Sequence, residues 1–278
     1  SKAAKKPENV IGMHYFSPVP KMPLLEIIKT EKTSEETLAT CYEIGKRQGK
    51  TCIVVNDMPG FYVNRILCPY LLESLLLIEE GVRIEDIDRA LTLLGMPIGP
   101  ITLLDEVGID VGAHVMSGNM AELLIGREGF KINYSMPKMF EAGLHGRKAK
   151  KGFYNYAMKK GRLRKTLPNQ DVYQYFGNPS PKKIDRKEIE ERTMLMLLNE
   201  AVWCIEDNIL QNPKDGDIGG VFGVGFLPWS GGPFSYMNLL GLDHVVNKME
   251  HYASIHGPKF NPRPLLKSMA EKGETFIV

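Results

Sequence analysis

Cysteine is scarce in this 278-residue chain, and its four copies, Cys41, Cys52, Cys68 and Cys204, lie far apart with no CxxC and no Cys/His ligand spacing. Neither a disulfide framework nor a zinc site is indicated, and a reducing compartment fits best. An excess of either charge is also missing: 35 basic residues face 33 acidic ones for a net +2, so nothing in the overall balance calls for nucleic acid or a membrane surface. Long apolar runs are absent too. The stretches Leu71–Ile78 and Met194–Ile205 fall short of a membrane span and carry Glu73, Asn199 and Glu200. No GxSxG, HExxH or EF-hand pattern occurs, which disfavours the usual hydrolase and metal chemistries. The glycine-rich GDIGGVFGVGFLPWSGGP lacks the GxxxxGK[ST] arrangement and no strand leads into it, so it reads as a close-packed helix–loop. The opening SKAAKKPENV is neither a signal nor a transit sequence and runs straight into a strand. The expectation is a chain that begins partway through a larger protein.

What is present is a full core, with 43% hydrophobic residues. VIGMHYF and LLEIIKT read as strands that fold back about the Pro-containing stretch near Pro20. Residues 33–49 read as a helix with Ser34 as N-cap and Gly49 at its end, followed by a strand at KTCIVV. The Asp57–Gly60 turn then launches a long helix to Gly81, with Pro69 kinking it or lying near its first turns. Asp86 and Asp88 suit a helix start, Gly95 a stop, and Gly99-Pro100 a bend before a short helix at Ile101–Val107.

A similar pattern recurs downstream. Glu73 aligns with Glu200, Asp88 with Asp217 and Gly99-Pro100 with Gly232-Pro233, with an insertion in the second copy, so a duplicated helical unit is expected. Between the copies, Pro179 and Pro181 mark a polar linker.

Two residues carry the chemistry. In a symmetric hairpin His14 and Glu26 fall opposite one another, and a carboxylate inside the apolar LLEII must be satisfied by something. An imidazole beside it makes a proton-transfer dyad. Asn64, at the entry to the long helix, can cap it or reach a ligand. Ser17 can cap its own turn. The run Arg147, Lys148, Lys150 and Lys151 before GFYNY is either solvated surface or a phosphate holder.

GMHYFSPVPKMPLLEIIKT, DMPGFYVNRILCPYLLE, DIDRALTLLGMPIGPITLLDEVGID and GRKAKKGFYNY resemble, in order and spacing, the C-terminal half of L-3-hydroxyacyl-CoA dehydrogenases. With its second helical copy the chain looks most like the dehydrogenase region of multifunctional fatty-acid oxidation enzymes of the trifunctional alpha-subunit type. The resemblance implies a mostly α fold: a short β segment at residues 1–56 completing a truncated Rossmann sheet, helical domains at 57–157 and 187–278, and a linker at 158–186. It also implies that His14 is the catalytic base, that Glu26 orients it and that Asn64 hydrogen-bonds the substrate. Ser17 would lie beside the nicotinamide and Lys148 near the cofactor.

The family's GxGxxG turn for NAD is missing from this sequence, so the main NAD site is expected upstream and the chain alone is expected to be weakly active or inactive. The partners implied are an acyl-CoA substrate and a second copy or a thiolase subunit, with peripheral membrane association of the full complex and no nucleic acid. The compartment implied is the mitochondrial matrix, with the peroxisome as alternative. Two rival readings are an assembly module for β-oxidation enzymes, and a related short-chain 3-hydroxybutyryl-CoA or hydroxy-acid dehydrogenase, which usually has one helical unit.

Overall fold

The computed structural model describes residues 3–278; Ser1 and Lys2 of the opening segment lie outside the described residues. The chain is mostly helical with two small sheets. It divides into two compact units that are discontinuous in sequence: among the described residues, 3–67, 197–252 and 260–278 form the first, and residues 68–196 and 253–259 the second.

The first unit holds a three-stranded sheet in the order β1 (Gly12–Tyr15), β2 (Leu24–Lys29), β3 (Thr51–Asn56). β1 and β2 are antiparallel, with Gly12 opposite Ile28 and His14 opposite Glu26. β2 and β3 are parallel, a pairing that needs a long crossover connection, here a helix. That helix is α1 (Glu35–Arg47). Ser34 Oγ accepts the Thr37 N–H at 3.2 Å, Glu35 and Glu36 sit at the positive end, Lys46 and Arg47 at the negative end. Glycine at position 45 lets α1 approach the sheet: a Cβ there would lie 2.5 Å from Cys52 Sγ and 2.8 Å from Leu25 Cδ2. β2 is the central strand, and Leu24 through Ile28 are all buried. The outer edge of β3 is met by residues 208–210, where the Asn56 N–H donates to the Ile209 carbonyl at 3.0 Å. That pairing leaves little of the edge open to another chain.

The long helix α2 (Val63–Glu79) has Pro69 inside it. In the second unit follow α3 (Ile84–Leu94), α4 (Pro100–Val107), α5 (Ile109–Val115), α6 (Asn119–Ile125) and α7 (Ser135–Glu141). Next comes a hairpin of β4 (Tyr154–Lys159) and β5 (Arg162–Pro168). β5 and a 3-10 helix over Gln170–Phe176 thus occupy much of the span read from sequence as a linker. The turn between the strands is Lys160-Gly161, both at positive φ (49° and 72°), the geometry that two-residue hairpins prefer. The remaining helices are α8 (Arg186–Glu206), α9 (Pro213–Gly219), α10 (Pro233–Leu240), α11 (Leu242–His256) and α12 (Pro264–Glu271). None of the described helices is long and apolar enough to cross a membrane.

Buried acids hold the helix ends. Asp88 does not start a helix; it sits within α3 and caps α4, accepting the Ile101 N–H at 2.8 Å, the Thr102 N–H at 3.1 Å and the Tyr154 hydroxyl at 2.7 Å. Gly99 is required by that approach, since a Cβ would fall 2.3 Å from Asp88 Oδ1. In the first unit, Asp217 of α9 likewise caps α10, accepting the Phe234 N–H at 2.7 Å, the Ser235 N–H at 3.1 Å and the Ser235 hydroxyl at 2.6 Å. Gly232 faces it under the same constraint, with a Cβ 2.5 Å from Asp217 Oδ1. Between Asp217 and Pro233 lie a π-helical turn at Gly220–Val224 and a 3-10 turn at Pro228–Ser230.

Each unit also buries an arginine–glutamate pair. In the first, Arg65 Nε donates to Glu200 Oε1 at 2.7 Å; in the second, Arg192 donates to Glu73 Oε1 from Nε and Nη2 at 2.8 and 2.6 Å. The interval from Arg65 to Glu73 equals that from Arg192 to Glu200.

Candidate active site

The site lies in the first unit, on the hairpin and the turn that enters α2. Strand pairing sets His14 directly across from Glu26, and the side chains meet with His14 Nδ1 2.7 Å from Glu26 Oε2. Glu26 is fully buried and the His14 side chain is 29% exposed, so the acid is shielded while the imidazole still reaches solvent. The other carboxylate oxygen, Oε1, accepts the backbone N–H groups of Tyr62 and Val63 at 3.1 and 2.9 Å. These are orphan donors at the first turn of α2, and the helix dipole favours a negative charge there. The carboxylate buried in LLEII therefore has three partners. Because a carboxylate can only accept, Nδ1 of His14 carries the proton and Nε2 keeps its lone pair for an incoming proton.

Two aromatic rings hold the imidazole. Phe16, just past the end of β1, has its ring centroid 4.6 Å from that of His14, and Phe61 approaches from the α2 entry at 5.4 Å. Sequence reading did not single out either ring. The available signal was the Pro59-Gly60-Phe61 turn immediately before the helix, whose backbone delivers the two amides.

The remaining predicted residues are distributed as follows. Asn64 follows Val63 on α2 and is exposed; its amide has no hydrogen-bond partner among the described residues, so it does not cap the helix. Ser17 is exposed in the hairpin turn, before a cis bond to Pro18. Lys148 lies in the second unit and pairs with Asp110 at 2.5 Å, a contact that holds the Asp110 carboxyl below its ordinary range. Its neighbours are paired as well, Arg147 with Glu106 at 2.6 Å and Lys151 with Asp171 at 2.9 Å. Much of the basic run thus faces acids, at exposed positions where such pairs contribute little.

The glycines that bracket this run have a structural task. Gly146 and Gly152 close on the buried Asp105, where a Cβ at Gly146 would fall 2.5 Å from its backbone carbonyl oxygen and one at Gly152 2.0 Å from its carboxylate Oδ1. Asp105 accepts the Phe153 and Tyr154 N–H groups, both at 2.9 Å, and the Tyr156 hydroxyl at 3.1 Å. Burial outweighs these donors and pushes the Asp105 carboxyl up from 3.8 to about 6. The native state keeps a proton that the unfolded chain has lost, so this group's contribution to stability is complete below pH 3.8 and disappears as the pH rises to about 6. The span corresponds to roughly 3 kcal/mol. A carboxyl carbon-13 titration should give Asp105 a midpoint near 6; a midpoint below 4 would mean that the donors win.

The family profile for the 3-hydroxyacyl-CoA dehydrogenase C-terminal domain matches residues 60–156 and again 189–275, and the profile for the NAD-binding domain of the same enzymes matches residues 1–58. The chain belongs to the 3-hydroxyacyl-CoA dehydrogenase family. Among curated relatives, the fatty acid oxidation complex subunit alpha of Shewanella sp. strain ANA-3 is 48% identical over the whole chain. The protein of the same name from Vibrio vulnificus is 46% identical over 98% of it. The chain spans 39% and 38% of the length of these two relatives. Among solved structures, 3-hydroxybutyryl-CoA dehydrogenase from Escherichia coli K12 superposes with a TM-score of 0.80 at 22% identity, over 98% of this chain and 72% of that one. That likeness is one of fold.

Two expectations change. These curated relatives are bacterial, which overturns the mitochondrial matrix and its peroxisomal alternative, since bacteria have neither organelle. The match over residues 1–58 also brings recognisable NAD-binding-domain sequence into this dehydrogenase chain, so the expectation that it lacks most of that domain is partly corrected, and the match lends no support to a main NAD site upstream.

Proposed function

We propose that this chain supplies the proton-transfer and substrate side of an NAD-dependent L-3-hydroxyacyl-CoA dehydrogenase in fatty-acid β-oxidation, converting the 3-hydroxyacyl thioester to the 3-ketoacyl thioester. The observation that carries the reading is the His14–Glu26 contact, with Glu26 anchored on the first amides of α2. Nε2 of His14 accepts the proton of the substrate C3 hydroxyl while the C3–H bond gives up a hydride and the C3–O bond becomes a carbonyl. NAD, when bound, accepts the hydride. Glu26 holds the imidazole in the required tautomer and stabilises it once protonated. Asn64, exposed and unpartnered one residue beyond the anchoring amide, hydrogen-bonds the substrate oxygen. The places of Ser17 beside the nicotinamide and of Lys148 near the cofactor rest on resemblance, and Lys148 would have to leave Asp110 to meet a phosphate.

The residues fit the reacting end of a nicotinamide group, because a proton acceptor stands where a hydride donor would be oxidised. A pyrophosphate cradle is another matter. The parallel crossover from β2 enters α1 through Thr30–Ser34 without a glycine, whereas a dinucleotide turn needs glycines for close backbone approach. We therefore place the pyrophosphate outside this crossover, with the three strands completing a larger Rossmann sheet. The helical part is read as a duplication, supported by one profile matching two stretches and by the corresponding Asp88 and Asp217 caps. A homodimer or a complex with a thiolase subunit is the assembly proposed, in keeping with relatives named as subunits of a complex.

Two assays test this. The chain by itself should oxidise L-3-hydroxyacyl-CoA with NAD weakly or not at all, and ordinary turnover would refute the displaced pyrophosphate site. Joined to a complete nucleotide-binding domain it should turn over, and a folded, NAD-binding chain that still fails to produce NADH would overturn the dehydrogenase reading.

A further inference from the structure

Phe61 is a non-glycine residue in the left-handed region, at φ 47°, between Gly60 at φ 78° and the helix. A bulky aromatic side chain there is strained at a cost that Gly or Asn would largely avoid. Such strain persists only where the surroundings over-determine it, and it concentrates at functional sites. Two features of the site depend on this residue. Its ring packs on His14 at a centroid distance of 5.4 Å and an interplanar angle of 55°. Its backbone also turns the chain so that the next two amides, Tyr62 and Val63, both point at Glu26 Oε1.

We propose that Phe61 is a positioning residue for the proton-transfer dyad: its left-handed backbone aims the α2 amides at Glu26, and its ring, together with Phe16, holds the imidazole with Nδ1 on the acid and Nε2 free. This rests on His14 being the base and adds what keeps its ring turned so that Glu26 can fix the tautomer. The two tasks separate by substitution. Asn tolerates the backbone and lacks the ring, Gly tolerates the backbone with neither ring nor rigidity, and Tyr keeps the ring.

The test is nitrogen-15 NMR of the His14 imidazole in this chain, in mildly alkaline buffer where a free imidazole is neutral, alongside thermal melting. Wild type and Phe61→Tyr should show the Nδ1–H tautomer. Phe61→Asn and Phe61→Gly should melt at or above the wild-type temperature, yet raise the ratio of Nε2–H to Nδ1–H tautomer roughly threefold to tenfold, the range set by one aromatic packing contact. An unchanged tautomer ratio in Phe61→Asn overturns the proposal. Loss of folding in both Asn and Gly variants overturns it too, because the residue would then be scaffolding. The measurement needs neither NAD nor thioester, so it stands apart from the fate of the dehydrogenase reading, which turns on NADH production.

Discussion

Replacement of His14 by Gln, in the chain joined to a complete nucleotide-binding domain, should lower kcat by roughly 10²- to 10⁴-fold, the usual contribution of a positioned general base. KM for the thioester should change little. Gln can still donate to Glu26 from a similar position, so the buried acid keeps a partner and the hairpin keeps its register. It offers no lone pair of comparable basicity toward the substrate hydroxyl. A fall in kcat with KM and assembly preserved marks an interaction made in the transition state. If turnover persisted while oligomers fell apart, the rival reading of these helices as an assembly module would be correct instead. Glu26→Gln is the companion measurement. The two α2 amides could still be accepted by its carbonyl oxygen, but its amide group would meet the imidazole as a donor, favouring the tautomer with Nδ1 unprotonated and Nε2 blocked.

The dyad was legible in the sequence because two local signals agree. A hairpin about a proline-rich turn has a register that follows from its centre, and the observed pairing sets His14 against Glu26 as that symmetry requires. A carboxylate among leucines and isoleucines then has to be explained by a partner. The start of α1 was legible for the same reason, since Ser34 and the acids after it act within one turn. Asp88 misled because its partners, Ile101 and Thr102, belong to another helix, and a capping acid from a distance leaves the same local trace as an ordinary N-terminal acid. The hairpin of β4 and β5 was hidden by its charge: β5 reads RLRKTLP, whose basic residues mask the alternation, and the Lys160-Gly161 turn is weaker than an Asn-Gly one. The left-handed Phe61 had no sequence signal beyond the Pro59-Gly60 turn before it, because the groups it serves, the His14 ring and the Glu26 carboxylate, lie far away in sequence. The compartment was never written in the residues, and the expectation failed where it leaned on resemblance alone.

Glu73→Ala should cost roughly 3–5 kcal/mol of stability, the largest single loss expected in the second unit. Glu73 is the hub of a buried cluster. Its Oε1 accepts from Arg192 twice, at 2.8 and 2.6 Å, and its Oε2 accepts from Lys259. Arg192 is fully buried and Lys259 nearly so. Arg192 also reaches Glu80. Burial pushes the Glu80 carboxyl up, but the hydrogen bond and charge of Arg192 prevail and hold it below its ordinary range. Truncating Glu73 therefore removes the fully buried acid that both cations share and leaves Arg192 with the partly exposed Glu80 and Glu188, and removing one partner of a buried ion pair is far more damaging than losing an exposed pair. Urea unfolding checks this as a lower midpoint at constant slope. Adding Arg192→Leu to Glu73→Ala should recover part of the loss, since one of the two buried cations that shared the acid goes. Lys151→Ala is the control. It breaks the exposed pair with Asp171 and should shift stability by no more than about 1 kcal/mol. If Glu73→Ala proved as mild as that control, the cluster would be hydrated in solution and the buried acid would not be what holds α2 against α8 in the second unit.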